Sequence, residues 1–159
     1  IKRRNILEKF VHQSTRLNAS IYKSFNSFVK SEKLNIWLSD LSDIDNEKYE
    51  FKIKNKDLHI DTLGSKIIEK KVNRKLEINL IEKNREIDSI VEINFMKCAP
   101  LTEYCTEIHL LHKNLDKKNR EFFNVFWENA LDTLRYFYNE DWIILDKDLN
   151  RSKLTGRNR

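Results

Sequence analysis

The chain has 159 residues, 40% of them hydrophobic and 11% aromatic, which suits a single globular domain with a substantial core. It has no run of about eighteen apolar residues, which excludes a membrane-spanning helix, and the basic stretch Ile1-Lys2-Arg3-Arg4-Asn5 has no apolar segment behind it, so no secretory signal is expected. The net charge of +5 sits on the ends (Lys2, Arg3 and Arg4; then Arg151, Lys153, Arg157 and Arg159), which leaves the body slightly acidic and argues against nucleic acid as a partner.

In chain order, Leu7 to Leu17 reads as a strand carrying Phe10, Val11, Thr15 and Leu17. Ser20 is placed as a helix N-cap, and Ile21, Phe25, Phe28 and Val29 follow at helical spacing. A second short helix is predicted around Glu32 to Leu38, with Leu34 and Trp37 or Leu38 on one side. Residues 39–46 read as a polar loop. The period then changes to two: Tyr49, Phe51 and Ile53 alternate with Lys48, Glu50, Lys52 and Lys54, the pattern of a half-buried antiparallel strand. Further strands are predicted over Leu58 to Thr62, Lys66 to Lys70, Lys75 to Ile81, Ser89 to Met96 and Tyr104 to Leu111. Their inward sets are Leu76, Ile78 and Leu80, then Val91, Ile93 and Phe95, then Thr106, Ile108 and Leu110.

Glycine occurs only at Gly64 and Gly156 and proline only at Pro100, so the turns rest on Asn, Asp, Lys and Ser, as in residues 54–57 and 82–85. With no helices between them, these strands form an antiparallel meander. A long helix from Asn119 to Tyr138 follows. Its stripe of Phe123, Trp127, Ala130, Leu131, Leu134 and Tyr138, widened by Phe126 and Phe137, is broad enough to need a sheet face to cover. Asp141-Trp142-Ile143-Ile144-Leu145 then brings four adjacent apolar residues, expected to pack within the chain or against a partner or second copy. The domain is therefore read as 1–145, with 146–159 a basic, flexible tail.

Chemistry is sparse. His109 and His112 have HxxH spacing, which on a helix could ligate a metal, but on a strand residues three apart face opposite sides. His112 alone shares the inward parity, and the simplest expectation for it is a histidine satisfied by a loop carbonyl. There is no Gly-x-Ser-x-Gly turn and no phosphate loop; Leu63-Gly64-Ser65-Lys66 lacks the upstream glycine. His59, Glu77, Glu92, Tyr104 and His112 could serve acid–base chemistry in a pocket, yet nothing in the sequence pairs two of them. Cys98 and Cys105 are too few for a disulfide scaffold and too far apart for CxxC, so the default is reduced thiols in a cytoplasmic protein.

Four segments in order resemble the START-related helix-grip superfamily (SRPBCC), and within it the heat-shock-protein-90 ATPase activator homologue family. Asn18-Ala19 followed by Phe25 and Phe28 resembles the family's strand, Asn-Ala-Pro, helix entry. Leu34 and Trp37 resemble its second helix. Thr106, Ile108, Leu110, His112 and Leu115 resemble its penultimate strand, Thr-x-Leu-x-Leu-x-His-x-Gly-Leu, and Trp127, Leu131 and Leu134 its final helix. Departures are Ser20 for a proline, Asn46-Glu47-Lys48-Tyr49 for Gly-Gly-x-Tyr, and Asn114 for a glycine.

The resemblance implies an α+β fold in which a curved antiparallel sheet of about seven strands wraps a long C-terminal helix, with two short helices after the first strand. It also implies a non-catalytic domain binding a small apolar ligand between sheet and helix. The alternatives are a co-chaperone-like interaction module, with a chaperone or homodimer as partner, and a polyketide-cyclase-like pocket enzyme. The pocket-lining candidates are Phe25, Phe28, Trp37, Phe51, Ile78, Ile93, Phe95, Ile108, His112, Trp127, Leu131 and Leu134, with no cofactor and no metal.

Overall fold

The computed structural model describes residues 10–38, 41–45, 48–52, 63–82, 87–98 and 104–141. Alternation of apolar and polar residues sets its main layer. In β7 (Thr106–Lys113) every second side chain, from Thr106 to His112, is buried and the intervening ones are half-exposed. β6 (Ile87–Lys97) buries Val91, Ile93 and Phe95, and β5 (Lys75–Glu82) buries Leu76, Ile78 and Leu80. The three inward sets therefore lie where their period-two pattern predicts.

β1 (Val11–Leu17) pairs antiparallel with β7, and β4 (Leu63–Lys71) with β5. These five strands form the body of the sheet. β2 (Leu41–Asp45) and β3 (Lys48–Lys52) continue it, giving the order β1-β7-β6-β5-β4-β3-β2, all antiparallel. The first strand thus lies beside the last, and everything between is a meander. β2 corrects the reading of residues 39–46 as a loop. Asp43 and Asp45 make the stretch look polar, but its main chain pairs with β3 in register, Leu41 opposite Lys52. The predicted strand Leu58 to Thr62, the turn at 54–57, residues 83–85 of the turn at 82–85, the start of the first strand, the 142–145 segment and the basic tail lie outside the described residues.

α1 (Ile21–Val29) starts where Ser20 Oγ accepts the Lys23 amide at 3.2 Å, the predicted N-cap. α2 (Ser31–Trp37) follows almost at once. The Asn18-Ala19 entry is fixed from two sides: Asn139 Oδ1 accepts the Asn18 amide at 2.8 Å, and Thr106 Oγ1 donates to the Ala19 carbonyl at 2.9 Å.

Asn114, at the turn between β7 and the long helix, has φ 64°, the left-handed region in which glycine is least strained and asparagine is tolerated. That accounts for the glycine usual at this point of the motif. The long helix, α3 (Lys117–Arg135), begins with Asp116 Oδ1 accepting the Asn119 amide at 2.8 Å, and it passes into a π-helical turn, Tyr136–Asp141. Replacing Asp116 with Ala should remove the cap and lower stability by about 1 kcal/mol in urea unfolding, while Asp116→Asn should retain most of it.

α3 lays Phe123, Phe126, Trp127, Ala130, Leu131 and Leu134 into the core against the inward sets, and α1 adds Phe25 and Phe28 over β6. The α+β class, the antiparallel sheet and the covering C-terminal helix are those read from the sequence. The thiols are not. Cys98 and Cys105 form a disulfide with Cα atoms 5.4 Å apart. They flank the β6–β7 connection, and since Lys97 pairs with Thr106, the next positions out on each strand face each other whatever the loop length. The argument from reduced thiols to the cytoplasm falls with this bridge. Among the described residues, no helix is long and apolar enough to cross a membrane.

Candidate functional site

The space between sheet and α3 was the predicted site, and the structure brings its candidates together there. Phe25, Phe28, Trp37, Ile78, Ile93, Phe95, Ile108, His112, Trp127, Leu131 and Leu134 are all buried; the Phe51 side chain lies outside the described residues. Several of them touch one another. Phe95 receives Phe25 and Phe28 edge-on at 5.2 and 5.3 Å between ring centres, and Phe28 meets Trp37 at 4.8 Å. Trp37 Nε1 donates to the Ser27 carbonyl at 2.8 Å, so its polar end is satisfied as well.

Among the described residues, His112 is the one ionisable group buried in this core. Trp127 Nε1, which can only donate, gives its hydrogen to His112 Nδ1 at 2.9 Å. Nε2 must then carry the imidazole proton, and it donates to Ser89 Oγ at 2.6 Å. The Phe123 ring closes over the imidazole edge-on, with ring centres 4.5 Å apart. Burial pushes the His112 pKa down to about 3. Its partners are therefore two side chains, not the loop carbonyl expected from the sequence. Both nitrogens are engaged, so the ring has no lone pair to offer a substrate. Ser89 went unnoticed, although a hydroxyl at the inward parity of Val91, Ile93 and Phe95 was the available signal.

The other described acid–base candidates do not enter this space. Glu92 lies on the outer face of the sheet, its carboxylate accepting from Lys113 Nζ at 2.7 Å and Asn94 Nδ2 at 2.8 Å. Those contacts, the Lys113 hydrogen bond first, hold its pKa below the usual carboxylate value. Glu77 shares that face, 4.0 Å from Lys75 Nζ. Tyr104 is exposed, and His59 lies outside the described residues.

A cleft of about 340 Å³ opens elsewhere, between α1, α2 and the π-helical turn. Its walls carry Lys23, Lys30 and Lys33 against the single acid Glu32, with Tyr22, Phe137 and Tyr138 as aromatic surface. Tyr138 is held by hydrogen bonds to Ser27 Oγ and the Lys23 carbonyl. Three large apolar side chains at this end of the molecule remain exposed: Tyr22 at 59%, Tyr136 at 54% and Ile36 at 47%. A shallow crevice too small for a water molecule, bordered by Ile36, Trp37, Leu134 and Phe137 together with Ser27, Lys33 and Tyr138, lies beside the cleft.

No protein-family model matches the chain, and no curated protein matches it by sequence. Solved structures do match. CalU16 from Micromonospora echinospora superposes with a TM-score of 0.65 at 19% identity, over 84% of this chain and 78% of that one. The Aha1 dimer from Colwellia psychrerythraea gives 0.67 at 12%, over 81% and 95%. An HSP90 activator from Plasmodium falciparum gives 0.64 at 15%, over 81% and 95%. The chain shares the helix-grip fold of these structures. At these identities the likeness speaks for the fold alone, and it agrees with the motifs read at Asn18, Trp37, His112 and Trp127.

Proposed function

We propose that this chain is a non-catalytic START-like domain acting as a protein-interaction module of the co-chaperone kind. The observation that carries the reading is the cleft between α1, α2 and the π-helical turn, lined by three lysines and three aromatic side chains, beside exposed Tyr136 and Ile36. Aromatic surface within a charged rim is the composition of a docking site, and its charge suits an acidic segment of a partner. Two fold neighbours, an Aha1 dimer and an HSP90 activator, favour a chaperone ATPase or a second copy as that partner. The full helix-grip layout, about seven strands curved around the helix with two short helices at one end, is part of this reading. So is a cytoplasmic location, where structural disulfides are rare, which makes the redox state of Cys98 and Cys105 in the cell a check on it.

A second reading, carriage of a small apolar ligand, has one observation in its favour: the apolar and aromatic side chains that converge between the sheet and α3. Native mass spectrometry and titration calorimetry against a purified HSP90-class ATPase separate the two. The interaction reading expects a bare protein mass and saturable binding, weakened on the order of tenfold, or roughly 1.4 kcal/mol, by Lys30→Glu with Lys33→Glu. A co-purifying apolar ligand together with no chaperone binding would replace it with the carrier reading.

A further inference from the structure

The outer face of the sheet holds a group of side chains that neither reading uses. His12 on β1 and His109 on β7 project from the same face, since Ser14 is paired with His109 and His12 with Leu111. They are diagonal neighbours across an antiparallel pair, within reach of ring-sized side chains. His12 Nε2 and His109 Nδ1 come to 3.2 Å of each other. The far nitrogen of His109, Nε2, is 2.7 Å from Glu107 Oε2, while Arg16 takes the other carboxylate oxygen at 3.3 Å.

The hydrogen-bond directions follow from the carboxylate. It can only accept, so His109 Nε2 carries a proton, and in the neutral ring Nδ1 presents its lone pair to His12. Two imidazole nitrogens on one metal ion, each with a bond of about 2.0–2.1 Å, lie about 3.3 Å apart at a tetrahedral angle and about 2.9 Å apart at a right angle. The observed separation falls between these values. The second nitrogen of a metal-bound histidine is commonly held by a carboxylate, which fixes ring and tautomer, and Glu107 already holds His109 in that way.

We propose that His12 and His109 form a two-histidine site for a divalent transition metal ion, with Glu107 as the residue that positions His109. Binding keeps the tautomer of His109, while the two rings, which meet head-on with centres 5.4 Å apart, tilt so that both lone pairs turn toward the ion. At His12 the proton moves from Nε2 to Nδ1, and the ion replaces it between the rings. Among the described residues, no group of three or more His, Cys, Asp or Glu side chains is placed to hold a metal, so water or a partner's donor completes the coordination. Imidazole pairs favour Cu²⁺ over Zn²⁺ and Ni²⁺. The partner of His109 is therefore not His112, three residues along, but the histidine across the strand.

The test is calorimetric titration of the untagged full chain with Cu²⁺ and with Zn²⁺, alongside the Cu²⁺ electron paramagnetic resonance spectrum. One equivalent is expected, with two coordinated nitrogens. His12→Ala and His109→Ala should each abolish the site or leave one nitrogen, and His59→Ala should leave it intact. Glu107→Gln should keep two nitrogens but weaken binding about 10–100-fold. His12 is exposed and His109 half-exposed, so these variants retain the core, and circular dichroism verifies that. Absence of binding to the wild-type chain, or unchanged affinity in both histidine variants, would overturn the proposal.

Discussion

Trp127→Ala should be the most damaging single substitution in the described core, lowering stability by roughly 4–8 kcal/mol. Trp127 is 2% exposed, with Phe126 edge-on against it at 4.8 Å between ring centres and its indole N–H bonded to His112. Truncating a buried tryptophan costs about 3–5 kcal/mol through lost transfer energy and the cavity left behind. The change also strips Nδ1 of a fully buried histidine of its donor, which costs about 1–3 kcal/mol unless water enters the new space. Against a total stability of about 5–15 kcal/mol, such a loss leaves much of the protein unfolded at ambient temperature.

Trp127→Phe separates the two effects. It keeps most of the ring volume and removes only the N–H, so about 1–3 kcal/mol is expected. Urea unfolding of wild type and both variants measures the difference. The result also bears on function. A cost below about 2 kcal/mol for the alanine variant would mean that the interior collapses easily or was loosely filled, which favours a ligand cavity over a packed core.

What the sequence disclosed follows from which signals are local. Period-two alternation fixed the inward faces of β5, β6 and β7, because each residue's side follows from its parity alone. The stripe on α3 and the Ser20 cap were legible for the same reason. The strand at Leu41–Asp45 was not, since its pairing is between main chains and the aspartates mask any alternation. Nor was the Cys98–Cys105 bridge, which depends on strand register across a connection rather than on spacing.

The candidate site divides similarly. Most of the named pocket residues do converge, but a list of residues carries no information on whether the space they enclose is filled. Phe25 and Phe28 meet Phe95 edge to face and Trp37 packs tilted against Phe28. The lysine-rimmed cleft draws on α1, α2 and the π-helical turn at once, so no contiguous motif announces it. The pairing of His12 with His109, 97 residues apart, is hidden for the same reason.

The stability of this protein should fall as pH drops through the histidine range, and His112 should be the main cause. In the folded state its pKa is about 3, because burial disfavours the imidazolium. In the unfolded chain it returns to about 6.5. Above that value both states hold the neutral ring and the group contributes no pH dependence. Below it the unfolded chain takes up a proton that the native state refuses, so stability declines by about 1.4 kcal/mol per pH unit until the folded pKa is approached. Protonation in place would set an N–H at Nδ1 against the Trp127 N–H, two donors facing each other, so the native state can accept the proton only by breaking that contact.

Carboxylates lose stability in the same direction, but at lower pH. Glu69, Glu92 and Glu107 have folded pKa values below the usual 4.5, held down first by Lys75, Lys113 and His109 respectively, and their contributions disappear only as pH falls below that range. Glu69 and Glu107 are surface groups whose share salt screens, whereas the His112 contribution is insensitive to salt. The window from about pH 6.5 to 5 therefore isolates the histidine. Urea midpoints across that window, at low and high salt, should trace the decline. Nitrogen-15 spectra should show His112 keeping its Nε2–H form down to pH 5. A His112 resonance titrating near its ordinary value, or a midpoint flat across the window, would mean that the imidazole is solvated, and with it the interior between sheet and helix.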